Sequence, residues 1–197
     1  MIQINDLEII KNKRKILEIL AMNLNDASIN ALVGEEKSGK SLLASTIHGL
    51  YSNYQGIIDF HNLNKRKKNS YLIVKDVLLL SDKTASDNFS FPTKEYFEAI
   101  REYSFLAGLE NDLERKVSEL PYSKQKLIEL SIGCGINPQL LIIDDFDLCF
   151  TNQSLALVGL LLSKFKTDGG IVLLTSSLNI PEMDSSFSIN NGKVVKL

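Results

Sequence analysis

Apolar residues along this chain fall into short blocks of two different periods. From Ile2 to Leu24 they alternate with polar residues on either side of a basic turn, Lys11 to Lys15, which predicts two β-strands. Ile29–Val33 predicts a short buried strand, Gly34 to Ser41 is a glycine-punctuated loop, and Leu42 to Tyr51 predicts a helix. Gly56 to Phe60 and Tyr71 to Val74 predict further strands, separated by the polar tract Asn62 to Ser70. Between Thr93 and Gly133 the period lengthens. Tyr96, Phe97, Ile100, Phe105, Leu106, Leu109 and Leu113 recur at helical spacing, as do Leu127, Ile128, Leu130 and Ile132, with a break expected at Pro121. Leu140–Ile143 is a wholly apolar strand running into Asp144 and Asp145, followed by a helix from about Gln153 to Phe165 and a strand Ile171 to Thr175. Asn191-Gly192, between Phe187–Ile189 and Val194–Leu197, predicts a two-residue hairpin. The alternation predicts an α/β fold: a mostly parallel core sheet, an antiparallel β subdomain and a helical insert over about residues 93–133.

Composition narrows the class without identifying it. The 197 residues suit one domain spanning 1–197, and 44% hydrophobic with 23% charged is an ordinary globular balance. A net charge of -2 supplies no general field toward nucleic acid or an anionic membrane, so no nucleic-acid partner is expected. The run Leu155 to Leu162 is far short of the roughly 20 residues of a membrane helix, and Met1 to Lys15 has no signal-peptide core. A cytoplasmic location is expected, with any membrane role carried by another chain. Cys134 and Cys149 lie in apolar stretches without metal-ligand spacing, which points to a reducing compartment and to small core residues. The run Lys65-Arg66-Lys67-Lys68 lacks interleaved aromatics, so a solvated loop tip is favoured over a phosphate-binding patch.

The chemistry is carried by Gly34-Glu35-Glu36-Lys37-Ser38-Gly39-Lys40-Ser41, which fits G-x-x-x-x-G-K-[ST] without a departure. Glycines at this spacing let the backbone wrap phosphates with its N–H groups pointing inward, while the lysine meets the terminal phosphates and the hydroxyl ligates Mg²⁺. A helix starting at Gly39 adds its positive end. Gly34, Lys37, Ser38, Gly39, Lys40, Ser41 and Leu42 are therefore the expected nucleotide-binding residues. A carboxylate at the tip of the apolar strand, Asp144, is placed to hold Mg²⁺ opposite Ser41. For Asp145 a solvated turn and a weak catalytic carboxylate both stay open.

In this order of parts the chain resembles the ABC ATPase family over nearly its whole length. The stretch Leu106 to Asp145 has the cadence of that family's segment from signature to Walker B: Leu120 to Lys124 falls at the LSGGQ signature, and Pro138 at its proline before Walker B. The resemblance implies a P-loop NTPase of ABC type that binds ATP and Mg²⁺ and pairs head to tail, as a homodimer or with another ABC ATPase subunit. It also implies a place on the inner face of the membrane, held there by a membrane-spanning transporter subunit. Departures fall on the catalytic side. The signature reads Leu120-Pro121-Tyr122-Ser123-Lys124, the family's glutamine is Lys75, the glutamate after Walker B is Asp145, and the switch histidine falls at Ser176. The D-loop region reads Leu148-Cys149-Phe150-Thr151, and no aromatic stands between Leu7 and Leu24 to stack on adenine. Hydrolysis is expected to be slow or absent. Two alternatives are a regulatory module that switches on nucleotide without turnover, and, ranked last for want of coiled-coil or tandem insertions, a soluble ABC-type ATPase acting on DNA or ribosomes.

Overall fold

The computed structural model describes residues 1–61, 70–90 and 94–197. The basic run Lys65–Lys68, nearly all of the polar tract and the predicted onset of the helical insert at Thr93 lie outside the described residues. In chain order the elements are β1 (Ile2–Lys11), β2 (Arg14–Leu24), β3 (Ser28–Val33), α1 (Lys40–His48), β4 (Tyr54–Asp59), β5 (Ser70–Ile73), α2 (Ala85–Phe89), α3 (Phe97–Leu106), α4 (Tyr122–Gly135), β6 (Leu140–Ile143), α5 (Phe146–Cys149), α6 (Leu155–Thr167), β7 (Ile171–Ser176), β8 (Ser185–Asn190) and β9 (Lys193–Lys196).

Among the described residues the strands form one nine-stranded sheet in the order β4-β1-β2-β9-β8-β3-β7-β6-β5. Its two ends differ in kind. β1 pairs antiparallel with β2 and β4, whereas β8, β3, β7, β6 and β5 run parallel to one another. The join is the hairpin β8–β9: β9 is antiparallel to β8 and meets β2 in parallel through the single pair Glu18 and Lys193. Asn191 and Gly192 both take positive φ (49° and 75°), as a type I′ turn needs. Asn12 and Lys13 do the same at the β1–β2 turn, which is tighter than the Lys11–Lys15 stretch expected.

β6 and β7 are buried on both faces, so β6 and the first four residues of β7 are apolar throughout rather than alternating. Leu140 and Ile142 of β6, with Ile171 and Leu173 of β7, pack with α1 and the inward residues of β1 and β2. Leu141, Ile143, Val172 and Leu174 pack on the opposite face with α3, α4 and α6. Fully burying each such side chain is worth about 1.5–3 kcal/mol, which fixes these strands at the centre.

The helices differ in detail from the sequence pattern. The first starts at Lys40 rather than Leu42, because Gly39 accepts φ 108° and lets the helix begin directly behind it. It ends at His48, three residues before the Tyr51 expected, because Gly49 takes φ 89° and caps it. Pro121 does divide the insert, as the N-cap of α4. The short helices α2 and α5 go unread in the sequence, although Thr84 and Asp87 form a reciprocal capping box at α2. In α4, Gly135 allows close approach of α3: a Cβ there would lie 2.6 Å from the Ile100 backbone.

Candidate functional site

The loop from Gly34 to Gly39 leaves β3 at the centre of the sheet and enters α1. Lys40, the first helical residue, is only 4% exposed. Its Nζ donates to the carbonyls of Gly34 (2.7 Å) and Glu35 (2.9 Å), and lies 3.5 Å from Ser177 Oγ. Glu35, Glu36 and Lys37 are all exposed. Two features show that the loop suits a phosphate cradle. A Cβ on Gly34 would lie 2.8 Å from Ser38 Oγ, and one on Gly39 would lie 3.0 Å from Leu17, so neither glycine has room for a side chain. Ser38 Oγ is buried with no hydrogen-bond partner among the described residues, a donor the fold leaves over.

Beside the loop opens a cleft of about 670 Å³. Glu36, Lys37, Gly39, Lys40, Ser41 and Leu42 form one wall, and Lys11 and Ile16 of the first hairpin another. Lys75, Asp145 and Ser177, just past the ends of β5, β6 and β7, close the remainder together with Asp147 and Leu148 of α5. The site thus sits at the carboxyl ends of parallel strands, where an open α/β sheet holds its ligands.

The two aspartates after β6 separate. Asp144 is 8% exposed, and its Oδ1 accepts a 2.6 Å bond from Thr175 Oγ1 of β7. It stands behind the cleft wall, with its backbone N–H donating to the Ile73 carbonyl (2.8 Å). Asp145 lies in the wall itself, in the left-handed region (φ 52°), with its N–H on Thr175 Oγ1 (2.9 Å). Burial raises the Asp145 pKa above 3.8; Asp144 and Asp147 push the same way, and Lys40 and Lys75 oppose them.

The remaining positions of the resemblance fall as follows. Ser176 is buried, and its Oγ accepts the Leu178 N–H (2.9 Å), so it faces its own turn. The residue that enters the cleft from β7 is Ser177, which the sequence reading passed over; it stands one residue beyond a strand end, a position decided by tertiary register. The signature position is occupied by the start of α4. There Tyr122 Oη donates to the carbonyls of Lys75 (2.6 Å) and Leu148 (3.4 Å) of its own chain. Behind it Lys126, fully buried, donates to the carbonyls of Val74 and Asp76 (3.0 Å) and to Glu129 Oε2 (2.6 Å), while Glu129 Oε1 accepts the Leu78 N–H. This buried polar cluster also escaped the sequence reading, because Lys and Glu three apart on a helix ordinarily mark a solvated face.

Sequence comparison places these parts in a known setting. The family profile described as ABC transporter matches residues 17–147. The galactose/methyl galactoside import ATP-binding protein MglA of Salmonella typhimurium is 26% identical over 183 residues, covering 83% of this chain and 36% of the relative. The protein of the same name from Escherichia coli K12 matches over the same shares. The chain thus spans about a third of the length of these curated relatives. Among solved structures, an ATP-binding subunit of an ABC transporter superposes with a TM-score of 0.86 at 18% identity, covering 100% of this chain and 89% of that one. The cbiO1 protein of Clostridium perfringens, part of the cbiONQ transporter complex, gives 0.82 at 16% identity, covering 98% and 86%. At such identities the superpositions establish the fold, and the profile establishes the family: this chain belongs to the ABC transporter family and has the fold of its ATP-binding domain.

Proposed function

We propose that residues 1–197 act as one nucleotide-binding domain, an ATP-binding subunit of an ABC transporter that works through nucleotide occupancy, with hydrolysis slow or absent. The observation that carries the reading is the loop of Gly34, Ser38, Gly39 and Lys40, where a Cβ on either glycine would crowd a neighbour, the Lys40 ammonium lies on the Gly34 and Glu35 carbonyls, and the Ser38 hydroxyl is buried without a partner among the described residues. ATP would lie with its phosphates along residues 34–42, against the backbone N–H groups of the loop and the Lys40 ammonium. Ser41 and Asp144 are the residues to hold Mg²⁺, which would neutralise charge between the terminal phosphates. The base would rest near Lys11 and Ile16, where no aromatic ring lines the cleft among the described residues.

Weak turnover rests on the other half of the machinery. Asp145 is a methylene shorter than the glutamate of the family, Ser176 bonds its own turn, and proline stands in the signature. Displacing a catalytic group by about 1 Å costs on the order of a hundredfold, and losing one preorganised donor about a hundred- to a thousandfold. A partner chain that spans the membrane, and pairing with a second ATP-binding subunit, follow from the family. They would place this chain at the inner membrane face, where ATP-driven closure of the pair is transmitted to the spanning chain. No helix among the described residues is long and apolar enough to cross a membrane. The test is nucleotide-dependent thermal stabilisation. ATP–Mg²⁺ at 100 times its dissociation constant should stabilise the chain by about 2.7 kcal/mol, and Lys40→Ala should remove the effect. Equal shifts for both proteins would overturn the reading.

A further inference from the structure

Asn191 and Gly192 make the only Asn-Gly step in the chain, and they form the turn between β8 and β9 with Asn191 exposed. Pairing of Asn190 with Lys193 closes the turn, so neither the Asn191 carboxamide nor the Gly192 N–H makes a hydrogen bond among the described residues. A free carboxamide and the backbone nitrogen that follows it can close a five-membered imide. Glycine favours the closure, because no Cβ stands beside the attacking nitrogen. Asn12 supplies the contrast within the same fold. It is exposed and takes positive φ (51°) at the matching place in the β1–β2 turn, but the residue after it is Lys13.

The turn rests against the phosphate loop. Asn191 and Gly192 line a cavity of about 460 Å³ together with Glu35, Glu36, Lys37 and Ser38. Ile189, at the foot of the same turn, lies 3.4 Å from where a Cβ on Gly34 would stand. The Gly192 carbonyl accepts the Glu18 N–H (2.7 Å), beside the single pair that joins β9 to β2. A Cβ on Gly192 would lie 2.7 Å from the Ile16 carbonyl, and Ile16 walls the nucleotide cleft. A carboxylate formed at position 191 therefore joins Glu35 and Glu36 beside a polyanion site, where like charges repel. A longer main chain there pulls directly on the seam at Glu18.

We propose that Asn191-Gly192 is a self-modification site, whose conversion to aspartate weakens nucleotide binding at the neighbouring loop. Base removes the proton of the Gly192 nitrogen, and that nitrogen bonds to Asn191 Cγ. The bond from Cγ to Nδ2 breaks, and the amide nitrogen takes a proton from solvent and leaves as ammonia. Water then opens the imide at either carbonyl. One opening leaves aspartate in an unchanged backbone; the other leaves aspartate linked through its side-chain carboxyl, which lengthens the main chain by one carbon. No oxidant or cofactor takes part, and both products carry a negative charge where the amide was neutral. The loss of affinity, though not the modification itself, rests on the nucleotide reading of the cleft. One added charge at the rim of a solvated anion site corresponds to about a two- to tenfold loss.

The test ages the full chain at pH 6 and at pH 8, follows each asparagine by intact mass and peptide mapping, and titrates fresh and aged protein with ATP–Mg²⁺ by calorimetry. Conversion should concentrate at Asn191, run faster at pH 8 than at pH 6, and leave Asn12 behind. Aged wild type should bind about two- to tenfold more weakly than fresh, and fresh Asn191→Asp should reproduce the part due to charge alone. Asn191→Gly suits the positive φ and has no carboxamide, so it should bind alike before and after ageing. An unconverted Asn191, or conversion of Asn12 at the same rate, overturns the site. Full conversion with unchanged affinity, or an equal loss in aged Asn191→Gly, overturns its effect on binding. Fresh wild type that binds no nucleotide overturns the nucleotide reading instead, while the mass measurement still decides the modification.

Discussion

Replacing Lys126 by Met should destabilise the fold strongly, although methionine fills nearly the same space. Lys126 has no exposed side-chain surface and its partner Glu129 only 6%. The stem packs as methionine would, so no cavity term arises; what disappears is an ammonium with three acceptors. Removing one member of a buried pair leaves an uncompensated charge and costs about 3–5 kcal/mol. For a chain of this size that corresponds to a drop of about 6–20 °C in Tm. Protonation limits the loss. Burial already holds the Glu129 pKa above 4.5, against the pull of Lys126 and the Leu78 N–H, and deleting the ammonium raises it further. An acid whose folded pKa exceeds its unfolded one loses stability as the pH climbs from the unfolded value through the folded one. The deficit of Lys126→Met should therefore be larger at pH 8 than at pH 5. Adding Glu129→Gln removes the orphaned charge and keeps an acceptor for Leu78, so the double variant should recover most of the loss. Urea and thermal melts of the four proteins at the two pH values give the whole cycle. A single variant melting within about 2 °C of wild type at pH 8, or a double variant no better than the single, would refute the reasoning.

Purified chain should release phosphate from ATP at well below about 1 per second, the lower range of ordinary enzymes; a coupled phosphate assay reaching that rate would contradict the account of Asp145, Ser176 and Pro121. Gly135→Ala should cost about 1–3 kcal/mol in chemical denaturation, since its Cβ would press on Ile100, whereas Gly159→Ala on α6, with open space around it, should be neutral or mildly stabilising. Asp184 accepts the Ile29 N–H (2.7 Å) and pairs with Lys166, which together hold its carboxyl below 3.8. That contribution is fully present above about pH 4 and is lost as the pH falls through the depressed value. Asp184→Asn should accordingly flatten the acid limb of the stability curve, measured by thermal melts from pH 2 to pH 6.

What the sequence makes legible is whatever is decided over a few neighbouring residues. The P-loop, the wholly apolar β6 and the Asn191-Gly192 turn are of this kind, because close backbone approach, two-sided burial and positive φ each dictate local residue types. The start of β8 at Ser185 and Ser186 was not legible: two serines become strand only through parallel pairing with Asn30 and Ala31. The same holds in the site. Gly34 to Ser41 announces itself, while the approach of Ser177 to Lys40 depends on the register of β3 against β7. The burial of Lys126 depends on which way α4 faces, and its spacing to Glu129 suggests the opposite.

The seam between the two kinds of strand bears on how the chain acquires its shape. β2 and β9 meet at Glu18 and Lys193, with the Glu18 N–H on the Gly192 carbonyl (2.7 Å), and 174 residues separate the two members of that pair in sequence. On a ribosome adding about 5–20 residues per second, β2 waits roughly 9–35 s for its neighbour. Throughout that interval the first hairpin carries an unpaired strand edge, the kind of surface that recruits a wrong strand from another nascent chain. Ile16, at that edge, is also a wall of the cleft. Protection of that edge is thus a late event in biosynthesis, and chaperone dependence should concentrate before it.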